Sequence, residues 1–136
     1  MTPVLVDSNV ILDLFLDDPV WAQWSQQTLS RYSRNSVLCI NPIIYTEISI
    51  GFDRIEDLET AISKAGFKIL ELSRETVFLA GKAFLAYRRN QGTSSHPLPD
   101  FYIGAQAAVL NIPLITRDKS RYRTYFPNVK LIHPDN

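Results

Sequence analysis

The sequence predicts an α/β fold with a short, mainly parallel central sheet flanked by helices. Two patterns in the 136 residues carry that reading. Short apolar runs of strand length alternate with longer segments of helical spacing. Residues that start helices stand at the joints, at Asp7-Ser8-Asn9, Asn41-Pro42, Ser73 and Pro99-Asp100. Parallel strands buried on both faces read as continuous apolar runs, and these do. Hydrophobic residues form 46% of the chain and aromatics 11%, enough for a packed core and too apolar for disorder. No repeat, low-complexity tract or long linker interrupts it, so one domain over residues 1–136 is expected.

The elements follow in order. Val4-Leu5-Val6 is a buried strand that runs into Asp7-Ser8-Asn9, and Val10, Ile11, Leu14 and Phe15 then have helical spacing. Asp17-Asp18-Pro19 ends that helix and starts another, from Val20 to about Arg34. Val37 to Ile40 is a second strand. Asn41 caps the next helix with Pro42 at its first position, and Ile43, Ile44, Tyr45, Ile48 and Phe52 make it apolar. Ile55 to Ala65 is amphipathic and closed by Gly66. Phe67 to Leu72 is a third strand. Ser73 caps a long helix with Glu75 in its first turn and Arg88-Arg89 in its last, matching the helix dipole. A polar loop, Gln91 to Pro97, leads to the helix that Pro99-Asp100 opens and Asn111 ends. Pro113 to Thr116 is a fourth strand, Asp118 begins a short helix, and Val129 to Ile132 is a last strand.

Charge and cysteine content exclude several classes. Basic and acidic residues balance at 14 each, which rules out a grossly basic nucleic-acid coat but not a local basic patch. The single cysteine, Cys39, lies in an apolar strand and reads as a small buried hydrophobe. It permits no internal disulfide, which suits a reducing, cytoplasmic setting. No signal peptide is visible and no stretch is long enough to span a membrane. Phosphate-binding Gly-rich loops, a G-x-S-x-G elbow and a Cys/His zinc set are all missing.

Four carboxylates stand out: Asp7, Glu47, Asp100 and Asp118. Each has an ordinary explanation, as a helix cap or an exposed acid. Together they fall at strand-to-helix joints, and in parallel sheets sites form beyond the carboxyl ends of the strands. Asp7 follows the first strand, Asp118 the fourth; Asp100 starts the helix feeding the fourth, and Glu47 lies one turn inside the helix after the second. Gathered acids lose water and repel each other, a penalty that a hard cation removes. Mg²⁺ and Mn²⁺ prefer carboxylate oxygens, so these four acids are the expected metal-binding and catalytic set of a phosphoryl-transfer site.

Around them, Asn9 is expected to orient Asp7, and the Thr116 hydroxyl to hold Asp118 or a water; Ser8 is a weaker candidate of the same kind. Local capping is the alternative for all three. Asp13, Asp17 and Asp18 read as solvated helix-end acids. Arg117, Lys119, Arg121 and Arg123 crowd around Asp118, and Arg88-Arg89 precede the Asp100 loop. Arg117, Lys119, Arg121 and Arg88 suit a polyanionic substrate, or else a solvated basic face. Tyr102, Tyr122 and Tyr125 fit base stacking or plain packing. His96 and His133 read as surface residues, which disfavours a metal-free ribonuclease built on a histidine pair.

Three segments resemble motifs of the PIN-domain family. Val4-Leu5-Val6-Asp7-Ser8-Asn9-Val10-Ile11-Leu12 is similar to its opening motif. Leu98-Pro99-Asp100-Phe101-Tyr102-Ile103-Gly104-Ala105-Gln106-Ala107 is similar to its third-acid motif, and Leu114-Ile115-Thr116-Arg117-Asp118 to its last. Tyr45-Thr46-Glu47-Ile48 fits the second acid. The ordered set covers nearly the whole chain, and its compact length is similar to the VapC toxins of type II toxin–antitoxin pairs. The resemblance implies a PIN-like three-layer α/β/α fold and Mg²⁺- or Mn²⁺-dependent endoribonuclease activity. It maps the metal-binding acids onto Asp7, Glu47, Asp100 and Asp118, with Thr116 and Asn9 supporting. It also implies an RNA substrate, a small antitoxin partner and a homodimer. The Thr93-Ser94-Ser95-His96 loop departs from the pattern in being longer and more polar. The alternatives are a non-toxin PIN nuclease or RNA-binding module acting in RNA processing, and a DNA-directed nuclease. A receiver-like phospho-switch would want paired acids after the first strand and a late lysine, which Asp7-Ser8-Asn9 and Arg117-Asp118 do not provide.

Overall fold

The computed structural model describes residues 1–95 and 98–134. The described chain runs β1 (Thr2–Val6), α1 (Ser8–Phe15), α2 (Ala22–Ser33), β2 (Ser36–Ile40), α3 (Pro42–Ile48), a 3-10 turn (Ser49–Gly51), α4 (Ile55–Ala65), β3 (Lys68–Ile69), α5 (Arg74–Arg89), α6 (Pro99–Leu110), β4 (Leu114–Ile115), α7 (Ser120–Tyr125) and β5 (Leu131–Ile132). All the strand pairs are parallel, in the order β3-β2-β1-β4-β5. Helices make every crossover, as parallel pairing requires.

The order matters for the site. The chain steps outward from β1 to β2 to β3, then returns to lay β4 on the other side of β1, with Leu5 opposite Leu114 and Val6 opposite Ile115. The β1–β4 boundary is therefore the topological switch point, where a crevice opens beyond the strand ends. Right-handed crossovers put α1–α4 on one face and α5–α7 on the other. Most of the packing agrees: α1 meets α2 and α3, while α5, α6 and α7 pack together, and α3 also meets α6. The result is a three-layer arrangement around a core that includes Leu5, Val6, Ile11, Ile40, Ile44, Phe101, Leu114 and Ile115, with Cys39 buried among them.

Local chemistry sets the element ends. The Asn41 side chain accepts the Ile44 N–H at 2.8 Å, capping α3, and donates at 2.8 Å to Gln106, which in turn donates at 2.9 Å to the Glu71 carbonyl. That chain of bonds satisfies buried polar groups on three segments. Gly66 ends α4 at φ 76°, a left-handed conformation that favours glycine. Gly104 lies on α6 where a Cβ would stand 2.3 Å from the Phe126 ring, so only glycine lets that helix approach the end of α7.

Three expectations are corrected. The helix expected from Val20 begins at Ala22, because the Asp18 carboxylate takes the Val20 and Trp21 N–H groups, each at 2.9 Å, in a turn that precedes it. The third strand is Lys68–Ile69 rather than Phe67 to Leu72, since β3 lies at the sheet margin and pairs only with β2. The last short helix starts at Ser120, and Asp118 stands in the turn before it, accepting the Ser120 N–H at 3.3 Å. None of the described helices is long and apolar enough to cross a membrane.

Candidate active site

Asp7 sits at the switch point by backbone pairing. Its N–H donates to the Ile115 carbonyl at 2.9 Å, locking the end of β1 to the end of β4. Its side chain is 3% exposed, and its carboxylate is held on both oxygens. Oδ1 accepts the Ser8 N–H at 2.8 Å; Oδ2 accepts the Thr116 hydroxyl at 2.9 Å and the Tyr122 hydroxyl at 2.8 Å.

Hydroxyls tie the neighbouring acids to it. Ser8 Oγ donates to Glu47 Oε1 at 2.7 Å and lies 3.4 Å from Asp7 Oδ1, linking α1 to α3. Tyr122 lies 3.3 Å from Asp100 Oδ1, on the first turn of α6. Arg121 donates to Asp100 Oδ2 at 3.3 Å, its guanidinium 5.5 Å from the centre of the Tyr87 ring and 5.8 Å from that of Phe101. Asp118 is exposed at the rim, with Oδ1 turned to the start of α7.

The carboxylates act on each other. Burial, then repulsion from Asp100 and Glu47, pushes the Asp7 carboxyl up to about 6, against the pull of the Tyr122 and Thr116 hydroxyls. Glu47 is raised by burial and by Asp100, opposed by the Ser8 hydroxyl. Asp100 is raised chiefly by burial and partly by Asp118, with Arg121 pulling it down. Burial and the same acids hold the Tyr122 phenol protonated well above its ordinary range.

The remaining candidates divide. Thr116 holds Asp7 directly and also accepts the Asp118 N–H at 3.1 Å, so its contact with Asp118 is to the backbone. Asn9 does not contact Asp7; it donates to Thr116 Oγ1 at 3.4 Å and accepts the Arg117 N–H at 3.3 Å, fastening the loop after β4 to α1. Arg117 is engaged inward, donating to both oxygens of Asp13 at 2.7 and 3.0 Å and resting over Trp21. Arg88 donates to the Ser94 carbonyl at 2.7 Å. Lys119 stands at the N-cap of α7. Tyr102 and Tyr125 are half-buried, Tyr125 with its ring 5.6 Å from Phe101. His133 is half-buried against Arg123 at 2.8 Å; His96 lies outside the described residues.

Two residues went unrecognised in the sequence. Asp13 is 3% exposed, contrary to its reading as a solvated helix-end acid, and also accepts the Ser25 hydroxyl at 2.9 Å. Asn9 and Asp13 are one turn apart on α1 and both grip Arg117, a spacing that could have flagged them. Tyr122 is 1% exposed and reaches two of the acids. A tyrosine buried this deeply needs a partner for its hydroxyl, but the sequence does not say which.

The donor chemistry fits a hard divalent cation. Asp7, Glu47 and Asp100 offer oxygens only, and their mutual repulsion is what such an ion relieves. Among the described residues no three His, Cys, Asp or Glu side chains are already drawn together at ligand distance. Arg121 supplies positive charge at Asp100 instead, and the Ser8 and Tyr122 hydroxyls stand between the carboxylates.

A chain of VapBC2 from Rickettsia felis, solved bound to a DNA fragment from their promoter, superposes with a TM-score of 0.76 at 18% identity, over 98% of this chain and 100% of that one. A toxin–antitoxin complex from Klebsiella pneumoniae gives 0.71 at 22% identity, over 97% and 98% of the two chains. FitAcB from Neisseria gonorrhoeae gives 0.66 at 21%, over 96% and 97%. At these identities the likeness is one of fold. No protein with a curated description matches significantly. The PIN domain family matches residues 4–127, from the first strand to just past α7, and the chain belongs to that family.

Proposed function

We propose that the chain is a divalent-metal-dependent endoribonuclease that hydrolyses RNA phosphodiester bonds, and that it is the toxin of a VapBC-type pair. The observation that carries the reading is the switch-point network itself: the Ser8 hydroxyl links Asp7 to Glu47 and the Tyr122 hydroxyl links Asp7 to Asp100, with all three carboxyls raised chiefly by burial. Asp7, Asp100 and Glu47, with Asp118 at the rim, would hold Mg²⁺ or Mn²⁺, which supplies Lewis acidity and countercharge at a phosphodiester.

The chain's own groups then have defined tasks. Ser8, Thr116 and Tyr122 fix the Asp7 carboxylate. Arg121, beside Asp100, is the cation best placed to meet a substrate phosphate, with Lys119 at the rim. Water attacks phosphorus, the P–O3′ bond breaks and the 3′ oxygen takes up a proton. The products therefore carry 5′-phosphate and 3′-hydroxyl ends.

Among the solved structures that share this fold, the Klebsiella pneumoniae one is by name a toxin–antitoxin complex, and VapBC2 carries the Vap name of the toxins that this sequence resembles. They support a small antitoxin partner here, one that would cover the acids with an arginine and lay an apolar segment along α1 and α3. A homodimer and a cytoplasmic location complete the reading. The test is cleavage of a structured RNA with Mn²⁺, with mapped product ends, for wild type and Asp100→Asn. Cyclic 2′,3′-phosphate ends, or equal cleavage by folded Asp100→Asn, would overturn it. Matched DNA separates the DNA-directed alternative. Growth arrest on expression, relieved by a co-expressed antitoxin, tests the toxin role.

A further inference from the structure

Tyr122 is buried as deeply as any core side chain, yet its hydroxyl is spent entirely within the acid network. Phenylalanine would fill nearly the same volume without the cost of burying a polar group, so packing does not account for the oxygen. The hydroxyl has one hydrogen and two carboxylates in reach: Asp7 Oδ2 at 2.8 Å and Asp100 Oδ1 at 3.3 Å. Asp7 has other donors, the Ser8 N–H and the Thr116 hydroxyl. Asp100 leans on Arg121, 35% exposed and free to leave for another anion. Of the two groups that hold Asp100 among the described residues, Tyr122 is the rigid one, because its ring is enclosed.

We propose that Tyr122 is a positioning residue for the cation site: its buried hydroxyl keeps the Asp7 and Asp100 carboxylates in one fixed relation, so that a divalent ion meets an ordered pair of oxygens. The proposal rests on the metal-dependent reading above. Groups that orient metal ligands from behind change affinity by about 10- to 100-fold when removed.

The test is Mn²⁺ titration calorimetry on the full chain, comparing wild type, Tyr122→Phe and Asp7→Asn, with thermal melts in EDTA. The expected result is Mn²⁺ affinity in Tyr122→Phe weaker by about 10-fold or more, with the fold retained. RNA cleavage should need correspondingly more Mn²⁺ and recover at saturation. A lower melting temperature with unchanged Mn²⁺ affinity would assign the hydroxyl a merely structural role and overturn the proposal. Tighter binding would overturn it too, by making the hydroxyl an obstacle. If wild type binds Mn²⁺, Asp7→Asn does not and Tyr122→Phe matches wild type, this proposal alone fails. If wild type binds none, the metal reading fails and takes it along. A measurement on the wild type guards against a folding defect: Mn²⁺ should perturb the near-ultraviolet tyrosine absorbance, and a flat difference spectrum at saturation overturns the proposal.

Discussion

Replacing Asp7 by Asn should make the metal-free protein more stable. The folded-state pKa of Asp7 is about 6, raised from 3.8 by burial first and by Asp100 second. The folded chain therefore holds the proton more tightly than the unfolded chain does. Stability is highest below the unfolded value, falls as pH rises between the two, and stays low above the folded value. A shift of about two units corresponds to about 3 kcal/mol of stability given up at neutral pH. Asparagine keeps an acceptor for the Ser8 N–H and cannot ionise, although the Thr116 and Tyr122 hydroxyls must turn to suit its amide. Discounting for that rearrangement, Asp7→Asn should gain about 1 to 3 kcal/mol. In a domain of this size that is a rise of roughly 3 to 9 °C in melting temperature. The assay is calorimetric or circular-dichroism melting in EDTA. Near pH 4.5 the gain should shrink to about 1 kcal/mol or less, because the wild-type carboxyl is then protonated in the fold. Saturating Mn²⁺ should reverse the order, since only the wild-type folded state gains the ligand. Asp7→Asn melting no higher than wild type in EDTA at neutral pH, or an undiminished gain in acid, would refute the argument.

Other perturbations have equally definite outcomes. Asp13→Ala strands the Arg117 guanidinium and frees the Ser25 hydroxyl. Because Arg117 keeps some solvent contact, urea unfolding should report a loss of about 2 to 4 kcal/mol, below the full cost of an enclosed pair. Gly104→Ala drives a methyl into the Phe126 ring and should cost about 1 to 3 kcal/mol, read by the same unfolding curves. Arg121→Gln should leave Mn²⁺ affinity equal or tighter, since the arginine competes at Asp100, while flattening the salt dependence of RNA binding by about one unit of slope. Unchanged salt dependence would remove Arg121 from the substrate path.

What the sequence determined by itself is local. Strands and helices were legible because burial on one face or two leaves a period in the residues, and because Asn41, Ser73 and Gly66 mark helix ends through bonds spanning a few residues. The junction positions of Asp7, Glu47 and Asp100 were legible for the same reason. The two helix starts that slipped, at Val20 and Asp118, did so where a carboxylate captured backbone N–H groups in a turn instead of a helix. Only the tertiary structure decided who meets whom. Arg117 faces Asp13 across 104 positions, and Tyr122 faces Asp7 across 115. Both pairings depend on β4 returning to lie beside β1, which brings Arg117 in the loop after it to α1, and Tyr122 on α7 to Asp7 at the end of β1. A hydrophobic period says which side of a helix is covered, not what covers it. That is why an arginine reading as a phosphate contact became the ion-pair partner of a buried acid, and why a tyrosine reading as packing turned up between two carboxylates.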